Sequence, residues 1–341
     1  MLAKPNTAHK LNSAYYLALL ATCLAFCVII LGVYTRLTDA GLGCPDWPGC
    51  YGHWVLSKLP NASAHPIDMS KAWTEMIHRY VAAVLGLLVL ALTFLAFRNR
   101  HQPNQPFALS IFLGLLVIFQ ALLGMWTVTL KLFPLVVMAH LIGGMTTLAL
   151  LGWLSLQLSP YVRCVIGTTP SSHSLRYWAK IGLWILALQL ILGGWTSANY
   201  AALACTDFPF CHIHLNLDFS FLQALKLTVT DITQSQADLK NSNARMTIHM
   251  LHRLGALITT LVISRVIFLA YSKVQPDLIR VLSLLIAILL LVQLLLGISN
   301  ILGLLPLAIA IAHSAVAALL LLSFVSLNYY LNFKSQSEAE C

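Results

Sequence analysis

Charged residues are scarce in this 341-residue chain: only 9% are Asp, Glu, Lys or Arg, whereas 59% are hydrophobic. A soluble globular domain carries about a quarter of charged residues, so the composition excludes an ordinary soluble protein. The apolar residues fall in long blocks, each exceeding the roughly 18 uncharged residues with which a helix crosses a bilayer. The sequence therefore predicts an all-α polytopic membrane protein.

Two other features are absent. No small-residue cleavage site follows the first apolar block, so Lys4 and Lys10 before it do not indicate a signal peptide, and we expect the block to stay attached. No basic patch interleaved with aromatic residues occurs either, although basic residues exceed acidic ones by nine. This surplus is typical of the inner loops of membrane proteins rather than of nucleic-acid binding.

Eight spans are expected, at about 14–34, 76–97, 107–130, 134–158, 177–198, 246–271, 278–300 and 304–328. An N-terminus on the inner side places half of the 20 Lys and Arg residues in short inner segments, against only Asp277, Glu338 and Glu340, and leaves the long loops, 35–74 and 199–245, outside. The prediction is a multi-pass membrane protein with both termini in the cytoplasm and the long loops on the outer side.

The chain contains an internal repeat. LGVYTRLTDAGLGCPDWPGC, which starts at Leu31, matches LGGWTSANYAALACTDFPFC, which starts at Leu192. EMIHR from Glu75 matches HMLHR from His249, and the later spans match at nearly the same offset. Four helices per repeat give both halves one orientation, related by an axis along the membrane normal. We predict two pseudo-twofold-related four-helix bundles, 1–158 and 177–341, joined by a cytoplasmic linker, 159–176.

Four histidines lie a few residues inside the outer start of the even-numbered spans, at one depth: His78, His140, His252 and His313. Histidine within a span is costly and is functional by default, although an isolated one can be a satisfied interhelical hydrogen bond. Two histidines from different helices of each half can supply both axial nitrogens of a haem iron. Zinc or copper usually requires three or four ligands of mixed type, and no cysteine or carboxylate recurs at this depth in both repeats. Proton relay suits the paired arrangement less well.

Polar neighbours of these histidines have two interpretations each. Arg79 and Arg253 directly follow a histidine, and could bind haem propionates or simply extend to the membrane interface. Gln120 and Gln293 could line the pockets or serve helix packing.

The halves differ at one informative position. Glu75 stands three residues before His78, and the second half has His249 in the matching place. The i, i+3 spacing puts Glu75 and His78 on one helix face. Glu75 could instead stabilise the first turn of its helix through the helix dipole. The asymmetry favours a catalytic carboxylate in the first half.

The side of the membrane on which the cysteines lie indicates whether they form disulfides. Cys44 with Cys50, and Cys205 with Cys211, are close pairs in the outer loops and indicate two intraloop disulfides. Metal sites involving the nearby His212 and His214, or redox-active pairs, remain alternatives. Four cysteines are predicted to be unpaired: Cys23, Cys27, Cys164 and Cys341.

The motifs YTRLTDAGLGCPDWPGC, EMIHR, MAHLIGG, HMLHR and IAHSAVA resemble those of the haem A synthases of bacterial and mitochondrial membranes, over all eight spans. The resemblance implies haem b as a fixed cofactor held by His252 and His313, and haem o as a substrate held by His78 and His140. Glu75 then matches the family's proposed catalytic carboxylate. The implied reaction oxidises the C8 methyl group of haem o to a formyl group by successive hydroxylations, giving haem A for a terminal oxidase.

The resemblance thus implies an oxidoreductase acting on CH groups. The implied partners are a haem o synthase, an electron acceptor, assembly factors of a terminal oxidase, membrane lipid and a second copy of the chain. One alternative is a dihaem b-type membrane electron carrier, which the placement of all four histidines on one side disfavours. The other is a haem carrier without enzymatic activity, which the Glu75 asymmetry disfavours. The outer-loop residues His53 and His65 are read as surface histidines.

Overall fold

The computed structural model describes residues 5–56, 68–102, 105–160, 172–208, 224, 243–272 and 276–332, with side chains from Ser13 onward. Within these residues the chain forms helices and no strand of a sheet. The helices are α1 (Pro5–Leu37), α2 (Met69–Arg98), α3 (Phe107–Thr129), α4 (Pro134–Leu158), α5 (His173–Ala198), α6 (Asn243–Ser272), α7 (Asp277–Leu302) and α8 (Leu307–Asn332). All eight are long and apolar enough to cross a membrane, which confirms the predicted class.

Helix α2 begins earlier than the apolar block indicated, at Met69. The carboxylate of Asp68 caps it by accepting hydrogen bonds from the backbone N–H groups of Ser70 and Lys71. Glu75 consequently lies in the second turn of α2, beyond the free N–H groups of the helix start. The structure therefore gives no support to the interpretation of Glu75 as a first-turn residue.

The helices pack as two groups of four. In the first half α1 contacts α2 and α4, and α3 contacts α2 and α4; the second half repeats these contacts with α5 to α8. Between the halves α4 contacts α5 and α8, and α8 contacts α1. Exchanging the halves maps the α4–α5 contact onto the α8–α1 contact, as a twofold axis would, although the pseudo-twofold arrangement itself stays a prediction.

The turns after the odd-numbered helices are built alike in both halves. Asp39 and Tyr200, which correspond in the repeat, have φ of 51° and 52°. Lys131 and Leu304, which also correspond, have φ of 48° and 56°. Matching hydrogen bonds close the turns after α1 and α5, from Ala40 N to Thr35 O and from Ala201 N to Thr196 O, both 2.9 Å long. The sequence repeat is thus also a repeat of backbone conformation.

Apolar side chains fill the bundle only along part of its length. The main core runs through α4 from Met145 to Leu158 and through α8 from Ala318 to Leu331. Phe324 is fully buried there, and a Cβ at Gly182 would lie 2.7 Å from its ring. The other end of the bundle, which carries the loop after α1 and is called the loop end below, is where the histidines lie.

Candidate functional site

The four histidines occupy two repeated positions in the helices. His78 and His252 each lie nine residues after the first residue of α2 and α6, and His140 and His313 each lie six residues after the first residue of α4 and α8. At a rise of 1.5 Å per residue, they are about 9 to 14 Å from the helix starts at the loop end. The common depth expected from the sequence is present in the fold.

Each imidazole lies against a glycine of the preceding helix. A Cβ on Gly32 would be 3.0 Å from Cε1 of His78, and one on Gly193 would be 3.2 Å from Cε1 of His252. The same contact joins Gly124 to His140 at 3.4 Å and Gly297 to His313 at 3.2 Å. Because a glycine has no side chain, the ring can lie directly on the neighbouring helix backbone, and a larger residue there would displace it.

The two histidines of each half are close enough to interact electrostatically, His78 with His140 and His252 with His313. The Nδ1 atoms of His78, His140 and His313 are buried without a hydrogen-bond partner among the described residues. Buried polar atoms normally have a partner. Two neighbouring imidazoles with such unpartnered nitrogens are a donor set that could hold a haem iron.

The space beside the histidines is not filled by side chains of the described residues. Helix α4 is surrounded by α1, α3, α5 and α8, yet all its residues from 136 to 144 keep partial exposure. Helix α8 is likewise surrounded, and its residues from 311 to 316 keep partial exposure. The interior at this level is therefore less closely packed than the core at the other end of the bundle, which leaves room for a group between the helices.

Glutamine amides contact the histidines of the second half. Gln189 Nε2 is 3.1 Å from Nδ1 of His252, and Gln293 Nε2 is 3.2 Å from Nε2 of His313. Gln293 thus lies in the site, as one of the two sequence-based interpretations expected. Gln189 was not singled out from the sequence, because Val28 stands in its place in the first half. Gln120 packs against Gly143 of α4 in the first half.

Glu75 is buried, with 4% of its surface exposed, and both of its oxygens are bonded. Oε2 accepts a 2.8 Å hydrogen bond from the backbone N–H of Cys44, and Oε1 forms an ion pair with Nη2 of Arg79. Burial of a carboxylate is costly without such partners. The carboxylate therefore has a fixed place, three residues from His78 and directly below the loop after α1.

Arg79 connects α2 to this loop. Its Nη1 donates to the carbonyl oxygens of Asp46 at 2.8 Å and of Gly49 at 2.5 Å. Arg253 does the same in the second half, with Nη1 donating to Asp207 O and Nη2 to Cys205 O, both at 2.7 Å. Asp46 and Asp207 are a repeat pair, so the two arginines anchor corresponding loops. Neither contact was expected from the sequence, which suggested haem propionates or the membrane interface as the surroundings of these side chains.

The Glu75 and His249 asymmetry persists in the folded protein. Both residues are 4% exposed and both contact the arginine four residues later. His249 Nε2 accepts from Nε of Arg253 at 3.3 Å, and its Nδ1 has no partner among the described residues. The two pockets thus share a scaffold and differ in whether a carboxylate is present at this position.

Cys44 and Cys50 form a disulfide, as predicted. Cys205 is also disulfide-bonded, whereas Cys211, its predicted partner, and the neighbouring His212 and His214 lie outside the described residues, as do His65, Cys164 and Cys341. Cys23 and Cys27 are free, as predicted. His53 pairs with Cys50 through backbone hydrogen bonds of 2.8 and 3.0 Å. Within the described part of the chain, no three His, Cys, Asp or Glu residues could together hold a metal ion.

Comparison with known proteins decides the family. The profile of COX15-CtaA, described as a cytochrome oxidase assembly protein, matches residues 15–325. The chain belongs to the COX15-CtaA family. A haem A synthase of Shewanella oneidensis is 46% identical to it over 91% of this chain and 94% of the relative. A haem A synthase of Wolbachia pipientis wMel is 26% identical over 96% of this chain and 97% of the relative.

The COX15-CtaA match covers both histidine pairs and reaches into all eight helices. Two residues of the site, Gly32 and Gly193, were not predicted from the sequence, and they contact His78 and His252. The repeat could have indicated them, since they correspond to each other at the same offset that relates the two loops. Glycine is common in membrane helices, so only the contact with an imidazole distinguishes these two.

Proposed function

We propose that the chain is a haem A synthase, an oxidoreductase that converts the C8 methyl group of haem o into a formyl group. The carbon passes through an alcohol and a hydrated aldehyde, each hydroxylation removing a pair of electrons, and the hydrate then loses water. The name of the relatives supports this proposal, in particular the Shewanella oneidensis protein at 46% identity. The product, haem A, would serve a terminal oxidase.

One observation about the site carries the proposal: two equivalent histidine pairs share one scaffold, and only one pair has a buried carboxylate at the matching position beside it. A protein that only transfers electrons or carries haem needs no such difference. We therefore assign the substrate haem o to His78 and His140, beside Glu75. Haem b, which supplies one-electron redox chemistry at its iron when bound, is assigned to His252 and His313 as the fixed cofactor.

Glu75 is assigned as the catalytic residue. Its carboxylate would stabilise positive charge that develops at the methyl carbon, or accept a proton from it, and a low dielectric would strengthen either effect. The hydrogen bond from Cys44 and the ion pair with Arg79 fix its oxygens before the substrate arrives. Such preorganisation avoids a cost of reorientation during the reaction. Arg79 and Arg253 are the predicted propionate ligands. We propose that Arg79 acts on the substrate haem by holding Glu75 and the loop after α1, and that Arg253 acts on the cofactor haem by holding the loop after α5.

The placement in the cell follows the same proposal. We place the loop end on the periplasmic side of a bacterial inner membrane and both termini in the cytoplasm, because short segments rich in Lys and Arg lie at the opposite end. Residues 1–158 would form the substrate half and residues 177–341 the cofactor half. The partners that the reaction requires are a haem o synthase, an electron acceptor and oxidase assembly factors, and self-association is also proposed.

The test is extraction and chromatography of the haems carried by the protein from cells that make haem o. Wild-type protein should yield haem A or its alcohol precursor together with haem b. The Glu75→Gln variant should retain both haems and accumulate haem o, with oxidation reduced about a hundredfold or more. His249→Gln is the matched control, because it changes the corresponding position of the other half, and it should still oxidise haem o.

The dihaem electron carrier predicts a different result. Its wild type and Glu75→Gln proteins would both carry haem b alone, in equal amounts. That outcome, or full oxidation of haem o by Glu75→Gln, would remove the assignment of the first pocket as a catalytic site.

A further inference from the structure

Arg245, in the first turn of α6, is a cation without a bonded partner in the part of the chain that the structure describes. Its guanidinium is partly buried, its Nε is fully buried, and no hydrogen bond or salt bridge to its side chain occurs among the described residues. A partly buried charge is costly unless it is paired. Since this chain has so few charged residues, such a guanidinium calls for an anionic ligand.

The position of Arg245 relates it to the histidine pair of the second half. It precedes His252 by seven residues, or two turns, so both lie on one face of α6 about 10 Å apart along the axis. On α5, Gly193 touches His252 and Ser197 lies one turn further toward the loop end. Both helices thus lead from His252 to the same place near the loop end.

Tyr200 and Arg36 complete this place, which we call the arginine pocket (Arg36, Tyr200 and Arg245). The guanidinium carbon of Arg36 lies 3.8 Å from the ring centroid of Tyr200, and its Nη2 donates to Ser197 O at 3.0 Å. Arg245 interacts electrostatically with Tyr200 as well. Arg36 Nη1 is 3.8 Å from the carboxylate of Asp39, but its buried Nε has no partner among the described residues.

The other two arginines near the histidines are already occupied. Arg79 donates to the loop carbonyls and to Glu75, and Arg253 donates to Cys205 O, Asp207 O and His249. Arg36 and Arg245 therefore hold the unused guanidinium donors at this end of the described chain. Guanidinium groups bind carboxylates through short, charge-assisted hydrogen bonds and are well suited to partly buried sites.

We propose that the arginine pocket binds a propionate carboxylate of the haem ligated by His252 and His313. The inference rests on the proposed function, because it needs a haem at that pair. The repeat does not duplicate the pocket, because the positions that match Arg36, Tyr200 and Arg245 hold Ser197, Asp39 and Lys71. This difference suits a cofactor that stays bound in one half and a substrate that leaves the other.

The test compares haem b with its dimethyl ester, in which both propionates are neutral. Each is titrated into full-length, haem-free protein in detergent, in a His78→Ala background so that ligation is confined to the second pair. Protein with Arg245 should bind haem b about tenfold or more tightly than the ester. Arg245→Gln should weaken haem b by the same factor and leave the affinity for the ester unchanged.

Arg265→Gln is the matched control. Arg265 lies on the same helix, over the rings of Trp178 and Phe268, and its replacement should leave both affinities unchanged. Equal weakening of both haem forms by Arg245→Gln would overturn the inference, because a propionate contact cannot act on the ester. Loss of the preference in Arg253→Gln but not in Arg245→Gln would also overturn it. Absence of any haem binding would remove the proposed function together with the inference, whereas equal binding of both forms removes the inference alone.

Discussion

The backbone N–H of Cys44 donates a 2.8 Å hydrogen bond to Oε2 of Glu75, which lies on a different element of the fold. The contact joins the disulfide loop after α1 to the second turn of α2. Arg79 makes a second connection between the same elements, through Glu75 and through the carbonyl of Asp46. The loop is therefore part of the support of the buried carboxylate, and changes that lift the loop should act on the reaction before they act on haem binding.

Gly43→Ala should separate the loop from α2. A Cβ at Gly43 would lie 2.6 Å from the backbone carbonyl carbon of Lys71, so the loop must shift. We expect a loss of about 1 to 3 kcal/mol in stability and a fall in haem o oxidation, with both haems retained. Gly86→Ala is the control, since a Cβ there meets no atom within 4 Å. Haem extraction and a thermal denaturation scan measure the two effects, and unchanged turnover in Gly43→Ala would contradict the coupling.

Replacement of Arg79 should show whether this residue positions the carboxylate of Glu75 or only anchors the loop after α1. Arg79→Gln removes the ion pair with Glu75 and weakens the loop contacts, so kcat should fall while KM for haem o changes little. Arg79→Lys keeps the charge and should recover part of kcat. Arg253→Gln loses the corresponding loop contact and the contact with His249 but no ion pair with a carboxylate, so it should have the smaller effect on kcat. Equal losses of kcat in both arginine variants would show that Arg79 acts through the loop alone.

Larger residues at the glycines that face the histidines should remove one haem at a time. A Cβ at Gly32 lies 3.0 Å from Cε1 of His78, so Gly32→Val should displace that imidazole and lower occupancy of the first pair. Gly193→Val should do the same to His252 and the second pair. Optical and magnetic-resonance spectra of the bound haems report which pair is lost. Gly86→Val, where a Cβ meets nothing within 4 Å, should keep both, and loss of both haems in either test variant would contradict independent pockets.

Truncation of Phe324 should destabilise the whole bundle and should not lower haem occupancy at one histidine pair more than at the other. Its ring is fully buried against Gly182, in the packed end of the protein. Phe324→Ala should cost about 3 kcal/mol or more, seen as a lower unfolding temperature in detergent. Phe94→Ala truncates a ring that is 63% exposed and should change the temperature little. Similar shifts in the two variants would contradict the placement of the core.

Much of the fold could be predicted because its signals are local. The eight spans follow from uninterrupted apolar length, and only their ends moved, as at α2, where the cap at Asp68 lies outside the apolar block. The histidine positions followed from the repeat, since a duplicated helix places duplicated residues at the same height. The disulfide between Cys44 and Cys50 was likewise within reach of a short loop.

The contacts of the charged residues could not be predicted in this way. Arg79 and Arg253 stand beside histidines in the sequence, but each side chain reaches the carbonyl of a loop that is distant along the chain. Arg36 lies in the motif YTRLTDAGLGCPDWPGC, but the sequence assigned no role to it or to Arg245. The two residues came to notice only through Tyr200 and through nitrogens that have no partner among the described residues.

The sequence by itself determined the membrane class, the repeat, the level of the histidines and the single carboxylate that distinguishes the halves, because each is a matter of composition or of spacing along a helix. The tertiary structure alone decided which glycine each imidazole meets, which atoms hold Glu75, and which guanidinium groups of the described residues remain unused. The physical reason is that long side chains select hydrogen-bond partners by the packing of separate helices and loops, and the spacing of residues along one helix does not specify those distances.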